Sequence, residues 1–336
     1  MIETLPLRDL ERLLAEPIHT LEPIRQGGNN RLYRLTTPTR TLALKHHTRQ
    51  ADDPRDRQGT EITALTFLNA HRVAAVPRLI AHDRASGLTL LEWIDGEPIG
   101  TATPREVDQA LELIAALKAL NPAPDADPLP PASAACLTPR HWIQQLQHRA
   151  QRAQKNAADH PPLKAWLQHR FLPIQHWWLD HTLAILKADA RVLDAPLPRA
   201  NRLLSPSDFG FHNALRQRDG GLRFLDFEYF GWDDPVKLTC DFQWHPGMNL
   251  AKEGRERFVQ GMMTLFDAED TTFSQRHRLY HPLIGLCWCL ILLNECDRDG
   301  WARRAFASEY ASWQQACAQQ RIKAEALLVT LEPPHA

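Results

Sequence analysis

Ser205-Pro206-Ser207-Asp208-Phe209-Gly210-Phe211-His212-Asn213, followed by Phe224-Leu225-Asp226-Phe227-Glu228-Tyr229, decides the reading of this 336-residue chain. Asn213 stands five positions after Asp208, and Asp226 thirteen after Asn213. Phosphoryl transfer needs three such groups in this order. A loop carboxylate takes the proton of an attacking hydroxyl, an amide oxygen holds one metal ion, and a second carboxylate is returned beside it by the next strand. Gly220-Gly221 lies between them and supplies a turn, so a hairpin can carry Asp226 back against Asn213. Asp and Asn are common loop residues, and the pair gains weight only from the apolar strand that ends in Asp226.

The complementary half lies upstream, where Ile24-Arg25-Gln26-Gly27-Gly28-Asn29-Asn30-Arg31-Leu32-Tyr33-Arg34-Leu35 runs into Leu42-Ala43-Leu44-Lys45. Glycines in a turn between strands let backbone N–H groups approach phosphate oxygens that a Cβ would hold away. A Lys on the third strand can then pair with the α and β phosphates. Glu61, sixteen residues after Lys45, opens a helical stretch with Ile62, Leu65 and Leu68 at helical spacing, and can orient the lysine. Taken alone, the same segment suits an ordinary hairpin with a Gly-Gly turn, an exposed Lys and an exposed Glu.

With both halves in view, the chain from about Leu21 to Asp241 resembles the aminoglycoside phosphotransferase and choline/ethanolamine kinase superfamily, the small-molecule relatives of protein kinases. The residues that carry the resemblance are Gly27-Gly28-Asn29-Asn30, Lys45, Glu61, the hinge-like Leu90-Leu91-Glu92-Trp93-Ile94-Asp95-Gly96, Asp208, Asn213 and Asp226. It implies an α+β, protein-kinase-like two-lobed fold. A small β-rich N-lobe would span 1–94 and a larger, mainly helical C-lobe 95–336, with an insertion around 139–200. It also implies ATP and Mg2+, with Asp208 as base, Asn213 and Asp226 as metal ligands, and Lys45 with Glu61 as the phosphate-positioning pair. Gly27, Gly28, Asn29 and Asn30 would cover the phosphates, and adenine would lie along Glu92, Trp93 and Ile94. Leu225-Asp226-Phe227-Glu228-Tyr229, followed by Gly231, is most similar to the choline and ethanolamine kinases. Two departures stand out. Many family members have a His two residues before the base, where this chain has Pro206, and the family's Asp after an Asp-Pro pair corresponds to Asp241 only across a longer segment.

Composition points the same way. Hydrophobic residues at 43%, charged ones at 24% and a net charge of −1 suit a globular enzyme and give no support to nucleic-acid or membrane-surface binding. The N-terminus has an early acid and no apolar run, so we read no secretory signal and expect a cytoplasmic protein. Six cysteines, with no C-x-x-C pair among them, are expected to be reduced and mostly buried. The apolar run Leu283 to Leu293 is too short to span a bilayer and reads as a core helix.

Along the chain, hydrophobic spacing predicts a helix over Leu7 to Leu14 and strands near 21–26, 31–36, 41–46, 78–82 and 89–93. Helices follow from Val107 to Lys118 and through the insertion, with a break at His160-Pro161-Pro162. Five prolines between Asn121 and Pro139 suggest an extended surface connector. Phe171, Trp177 and Trp178 read as core.

A small-molecule kinase is therefore the favoured reading. A protein kinase would need an activation segment, and only fifteen residues separate Asp226 from Asp241, with no Ala-Pro-Glu signature. A pseudokinase, which binds nucleotide without catalysis, usually lacks a metal ligand, the base or the lysine, and all are present here. For the acceptor hydroxyl compound two signals compete. Glu228, Asp233 and Asp234 could receive an amino alcohol or another cation, whereas the insertion, with nine Lys or Arg against four Asp or Glu across 139–200, favours a neutral or anionic acceptor such as a sugar.

Overall fold

The computed structural model describes residues 7–26, 30–47, 55–187, 189–298, 301, 310 and 312–334. By contacts the chain divides into two compact units. Unit 1 comprises Met1–Ser133 with Leu204–Trp232, and unit 2 comprises Ala134–Leu203 with Asp233–Ala336. The fold is α+β and protein-kinase-like, with a small antiparallel sheet in the first unit and a larger helical part in the second.

In unit 1, β1 (Thr20–Gln26), β2 (Asn30–Thr36), β3 (Thr41–His47), β4 (Leu79–Asp83) and β5 (Leu88–Glu92) form an antiparallel sheet in the order β1-β2-β3-β5-β4. Side chains alternate across a strand. Leu42 and Leu44 of β3 therefore join Leu35, Leu88 and Leu90 in an apolar layer that α1 (Leu7–Leu14) closes with Leu10 and Leu14. Lys45, one residue on from Leu44, points to the opposite face.

That face is covered by α2 (Arg57–Ala70), capped by Asp56 accepting from the Gly59 N–H. The helix starts one turn before Glu61, so Glu61 sits inside it rather than opening it. Gln58 fixes α2 to the sheet by donating to the Asp83 and Leu88 carbonyls at 3.1 and 3.0 Å.

Contacts keep more than residues 1–94 with the sheet, and specific bonds show why. In β6 (Glu97–Pro98), Glu97 pairs with Arg216 of β8 (Ala214–Arg216), and β8 pairs with β9 (Leu222–Phe224). The side chain of Gln109, from α3 (Pro104–Ala119), holds the hairpin tip through the Gly220 carbonyl and the Leu222 N–H, while the Phe224 N–H donates to Ala75 O at 2.7 Å. The short β7 (Leu203–Ser205) is paired in turn with β10 (Gly231–Asp233).

The proline-rich stretch lies at the surface as expected, with its five prolines exposed, but it is bonded down rather than a loose extended connector. Ala132 N–H bonds Trp232 O, Trp232 N–H bonds Pro130 O, and Ser133 N–H bonds Tyr229 O. Ala126 is buried, and its carbonyl takes the Trp232 indole N–H at 3.0 Å. Gly231 is required here, since a Cβ would lie 2.4 Å from Pro130 O. The prolines stiffen a segment pressed onto the turn after Asp226.

Unit 2 is built around α10 (Phe273–Leu292), which packs against α4 (Pro139–Asn156), α6 (Leu172–Ile185), α8 (Pro235–Trp244) and α11 (Trp313–Val329). Also present are α5 (Pro161–Trp166), joined to α6 by a π turn, α7 (Ala190–Asp194) and α9 (Lys252–Phe266). The expected break in the insertion falls just before α5. Trp142 stacks on Tyr280 at 4.3 Å. By length and composition Phe273–Cys296 could cross a membrane, but 67% of its apolar window is buried within the protein, as the core-helix reading expects.

Two further expectations are corrected. Trp177 is exposed and stacks on His181 rather than in the core, because α6 turns it away from α10. Cys296 and Cys317 are joined in a disulfide, while Cys136, Cys240, Cys287 and Cys289 are free and buried. The bridged residues lie 21 positions apart, and a 3₁₀ turn ending in Cys296 brings their Cα atoms to 4.9 Å, well within bridging range.

Candidate active site

Every side chain of the candidate site that the structure describes, apart from Asp233 and Asp234, lies in unit 1. At its centre the ammonium of Lys45 is 3.0 Å from Glu61, 2.7 Å from Asp226 and 3.4 Å from Glu228. Burial alone would lower the lysine's pKa, but the three carboxylates outweigh it and raise it, so Lys45 stays charged. Burial likewise acts to raise Glu61, and Lys45, with His47 3.3 Å away, pulls it below the usual range. Asp226 moves the other way. Its burial, reinforced by Glu61 and Glu228, outweighs Lys45 and raises its pKa.

Glu228 was expected among the acceptor-binding residues. The structure turns it inward, 4% exposed, where it accepts from Asn30 at 3.3 Å and from the guanidinium of Arg57. Arg57 also donates to the Tyr229 hydroxyl and lies over its ring. Burial and Glu228 together push the Tyr229 hydroxyl up to about 12. Arg57 escaped the sequence reading because nothing in its spacing links it to a residue 171 positions away.

The catalytic loop is set by local bonds. Pro206 O takes the Asp208 N–H at 2.9 Å, Ser205 Oγ takes the Ser207 N–H at 3.0 Å, and Ser207 has a left-handed backbone with φ 68°. Asn213 Nδ2 donates to the Asp208 carbonyl at 3.0 Å, which turns Oδ1, the atom a magnesium ion takes, the other way. The Asn213 carbonyl accepts the Leu225 N–H at 2.7 Å, seating Asp226 one residue further on. Asp226 also has positive φ, 66°, a conformation that Asp tolerates better than most residues and that is concentrated at functional positions.

His212 was missed. Its Nε2 lies 3.0 Å from Asp208 Oδ1. Where many relatives carry a histidine before the base, Pro206 makes a tight turn here and a histidine four residues after the base reaches its carboxylate. The D-x3-H spacing was the available signal.

The remaining expected residues separate. Gly27, Gly28 and Asn29 lie outside the described residues. Glu92 is engaged through its side chain with Arg223 at 2.8 Å and the Arg78 N–H at 3.1 Å. Trp93 donates to Asp95 and carries Arg34 over its ring, and Ile94 is buried. Glu92 ends β5, paired with Leu42 three residues before Lys45, and Trp93 and Ile94 follow it.

Asp233 and Asp234 are taken up inside unit 2, each 1% exposed. Asp233 accepts the N–H groups of Cys136 and Asp234, both at 2.8 Å. Asp234 caps α8 through the Val236 N–H and is held by both arms of Arg276 at 2.9 Å. Neither has a carboxylate left to receive an acceptor. Asp241 is bonded to Lys237 and the Trp288 indole.

Three carboxylates face Lys45 and Arg57, with Arg55 over the Tyr229 ring beside them, and the raised pKa of Asp226 comes first from its burial. Asp226 and Asn213 offer the kind of oxygen donors that Mg2+ takes, so these residues fit such an ion.

A lysine on the third strand paired to a helix glutamate, a loop Asp fixed by an Asn five residues on, and a metal-type Asp after a hairpin define a phosphotransferase of protein-kinase-like fold. The match to a family model over residues 20–270 places the chain in the phosphotransferase enzyme family. Among solved structures, it is similar to APH(2'')-IIa in its gentamicin complex (13% identity, TM-score 0.59, covering 98% of this chain and 97% of that one). It is also similar to choline kinase LicA from Streptococcus pneumoniae (12%, 0.58, 96% and 98%) and to macrolide 2'-phosphotransferase MphH from Brachybacterium faecium (15%, 0.57, 98% and 98%). No curated protein matches it.

Proposed function

We propose that the protein is an ATP- and Mg2+-dependent small-molecule kinase that transfers the γ-phosphoryl group to a hydroxyl of a neutral or anionic metabolite, such as a sugar. The observation that carries this reading is the Lys45–Glu61–Asp226 cluster, which fixes a charged lysine beside a carboxylate of metal-ligand type. Lys45, oriented by Glu61, holds the nucleotide phosphates. Asp226 and Asn213 would hold magnesium, which would neutralise charge on the phosphates. Asp208 accepts the hydroxyl proton as that oxygen bonds to the γ-phosphorus and the bond to ADP breaks. His212 orients the Asp208 carboxylate. Because the roles are positioning and charge neutralisation, they require neither a covalent enzyme intermediate nor an activation segment, which keeps the protein-kinase reading second.

The preference for a neutral or anionic acceptor rests on where the carboxylates are. Glu228 faces Lys45 and Arg57, and Asp233 and Asp234 are buried in ion pairs and caps, so the acids a cationic acceptor would need are occupied. The test is a metabolite-library screen with purified protein and Mg-ATP, scored by ADP release above background hydrolysis. Turnover of sugars or other uncharged or anionic alcohols supports the reading. Turnover restricted to choline or aminoglycosides contradicts the acceptor class, and no turnover of any compound together with no ATP binding contradicts the activity.

A further inference from the structure

Unit 2 contains a cavity of about 220 Å³, lined on one side by Arg149, Arg152 and Asn156 of α4 and on the other by Leu290, Leu293 and Asn294 from the end of α10 and the turn after it. Arg149 lies three residues after Leu146 and four before Ala153, so it falls on the stripe of α4 that is otherwise apolar. Its Nε is buried and meets no partner in the protein. A buried donor without an acceptor costs free energy unless something in the cavity accepts from it. Arg152 has one arm on Asp297 at 3.0 Å. Among the described residues no carboxylate lines the cavity, and the amide of Asn156 adds a donor. The charge of Arg149 also reaches the buried Cys287 thiol, where it opposes the burial that pushes that group up to about 12.

These features select the ligand. Two guanidinium groups, of which Asp297 engages only Arg152, leave the described lining basic and select against a cation, and the two leucines form an apolar wall against which charge-assisted bonds are strong. The volume is below the ~300–1,000 Å³ typical of pockets for drug-sized ligands, which points to a small anion. Guanidinium forks match tetrahedral oxyanions in particular. We propose that this cavity binds phosphate or the phosphate group of a small metabolite, with Arg149 as its principal ligand. The basic excess of the insertion thus acquires a specific use, and this proposal does not rest on the catalytic reading.

The test is calorimetric titration of the full-length protein with sodium phosphate at constant ionic strength, with Tm followed in parallel. Both are run also in Lys45→Ala, so that phosphate entering the nucleotide site is counted separately. Saturable binding with a rise in Tm is expected in both proteins, weakened about tenfold or more by Arg149→Gln. In phosphate-free buffer Arg149→Met should keep or raise the Tm, since it removes a buried donor that has no partner in the protein, and it should not respond to phosphate. If neither Arg149 variant folds, Asn156→Leu should weaken binding in the same way. Absence of saturable binding, binding lost in Lys45→Ala, or binding untouched by the cavity substitutions overturns the proposal.

Discussion

Two pairs of carboxylates seven residues apart in sequence, Asp226 with Glu228 and Asp233 with Asp234, look alike in the chain and differ in the structure. In the first region Glu61, Asp226 and Glu228 face Lys45 and Arg57, and the Asp226 side chain keeps 31% of its surface. In the second, backbone N–H groups engage both carboxylates and Arg276 holds Asp234, and both acids are shut away from solvent. Burial raises the pKa of Asp226, Asp233 and Asp234 alike, so a perturbed carboxylate does not by itself mark a site. What separates the regions is whether a carboxylate stays open to solvent, as Asp226 does and Asp233 and Asp234 do not.

Substitutions should divide along that line. Asp226→Ala should lower phosphoryl transfer on the order of 10⁴-fold, since one metal ligand is lost, while the melting temperature stays near that of the parent. A steady-state assay with thermal melts checks both halves, and unaltered turnover would break the comparison. Arg276→Ala should do the reverse. It leaves Asp234 and Asp270 buried without their cation, which costs about 3–5 kcal/mol of stability, while Mg-ATP affinity in the folded fraction is unchanged. Denaturant unfolding with nucleotide titration decides it.

A smaller effect comes from the pair inside the first region. Lys45→Ala and Glu61→Ala should each impair turnover, and the double mutant should lose less than the sum by about 0.5–3 kcal/mol, because they form one ion pair. Strict additivity would mean that the contact at 3.0 Å plays no part in catalysis.

The smallest effect is in pH dependence. Burial lifts Asp233 from the ordinary carboxylate value to about 7, with Lys237 and two backbone N–H groups acting against it. A raised folded-state pKa means that the protonated form favours the fold. Its contribution is full below about pH 4 and is lost as pH rises through 7. His277 and His281, depressed to about 4 and about 3 chiefly by burial, act oppositely over the acidic part of that window. The useful quantity is therefore the Tm difference between wild type and Asp233→Asn. We expect it to fall from pH 4 to 7, and a flat difference would contradict the assignment.

Much of this was legible in the sequence, for local reasons. The alternation of Leu42 and Leu44 with Lys45, the helical spacing of Leu65 and Leu68, and the Asp208–Asn213 interval each encode short-range geometry, and the strands and the Lys45–Glu61 contact follow from it. Residues that act across long separations were not legible. Arg57 meets Glu228, the proline segment meets Trp232, and Cys296 meets Cys317 only because the fold brings them together. The use of Asp233 and Asp234 was equally hidden, since a helix cap and an acceptor ligand are written with the same residue. His212 stood in plain view of the base, but its role depends on the turn at Pro206.

The most direct test is Asp208→Asn, measured for Mg-ATP affinity and for turnover of whichever hydroxyl compound the wild type phosphorylates. We predict an unchanged Kd for Mg-ATP and a kcat lower by about 10²–10⁴-fold, the range for loss of a general base. A variant that keeps wild-type kcat, or that loses nucleotide binding along with turnover, would contradict the assignment of Asp208 as the base.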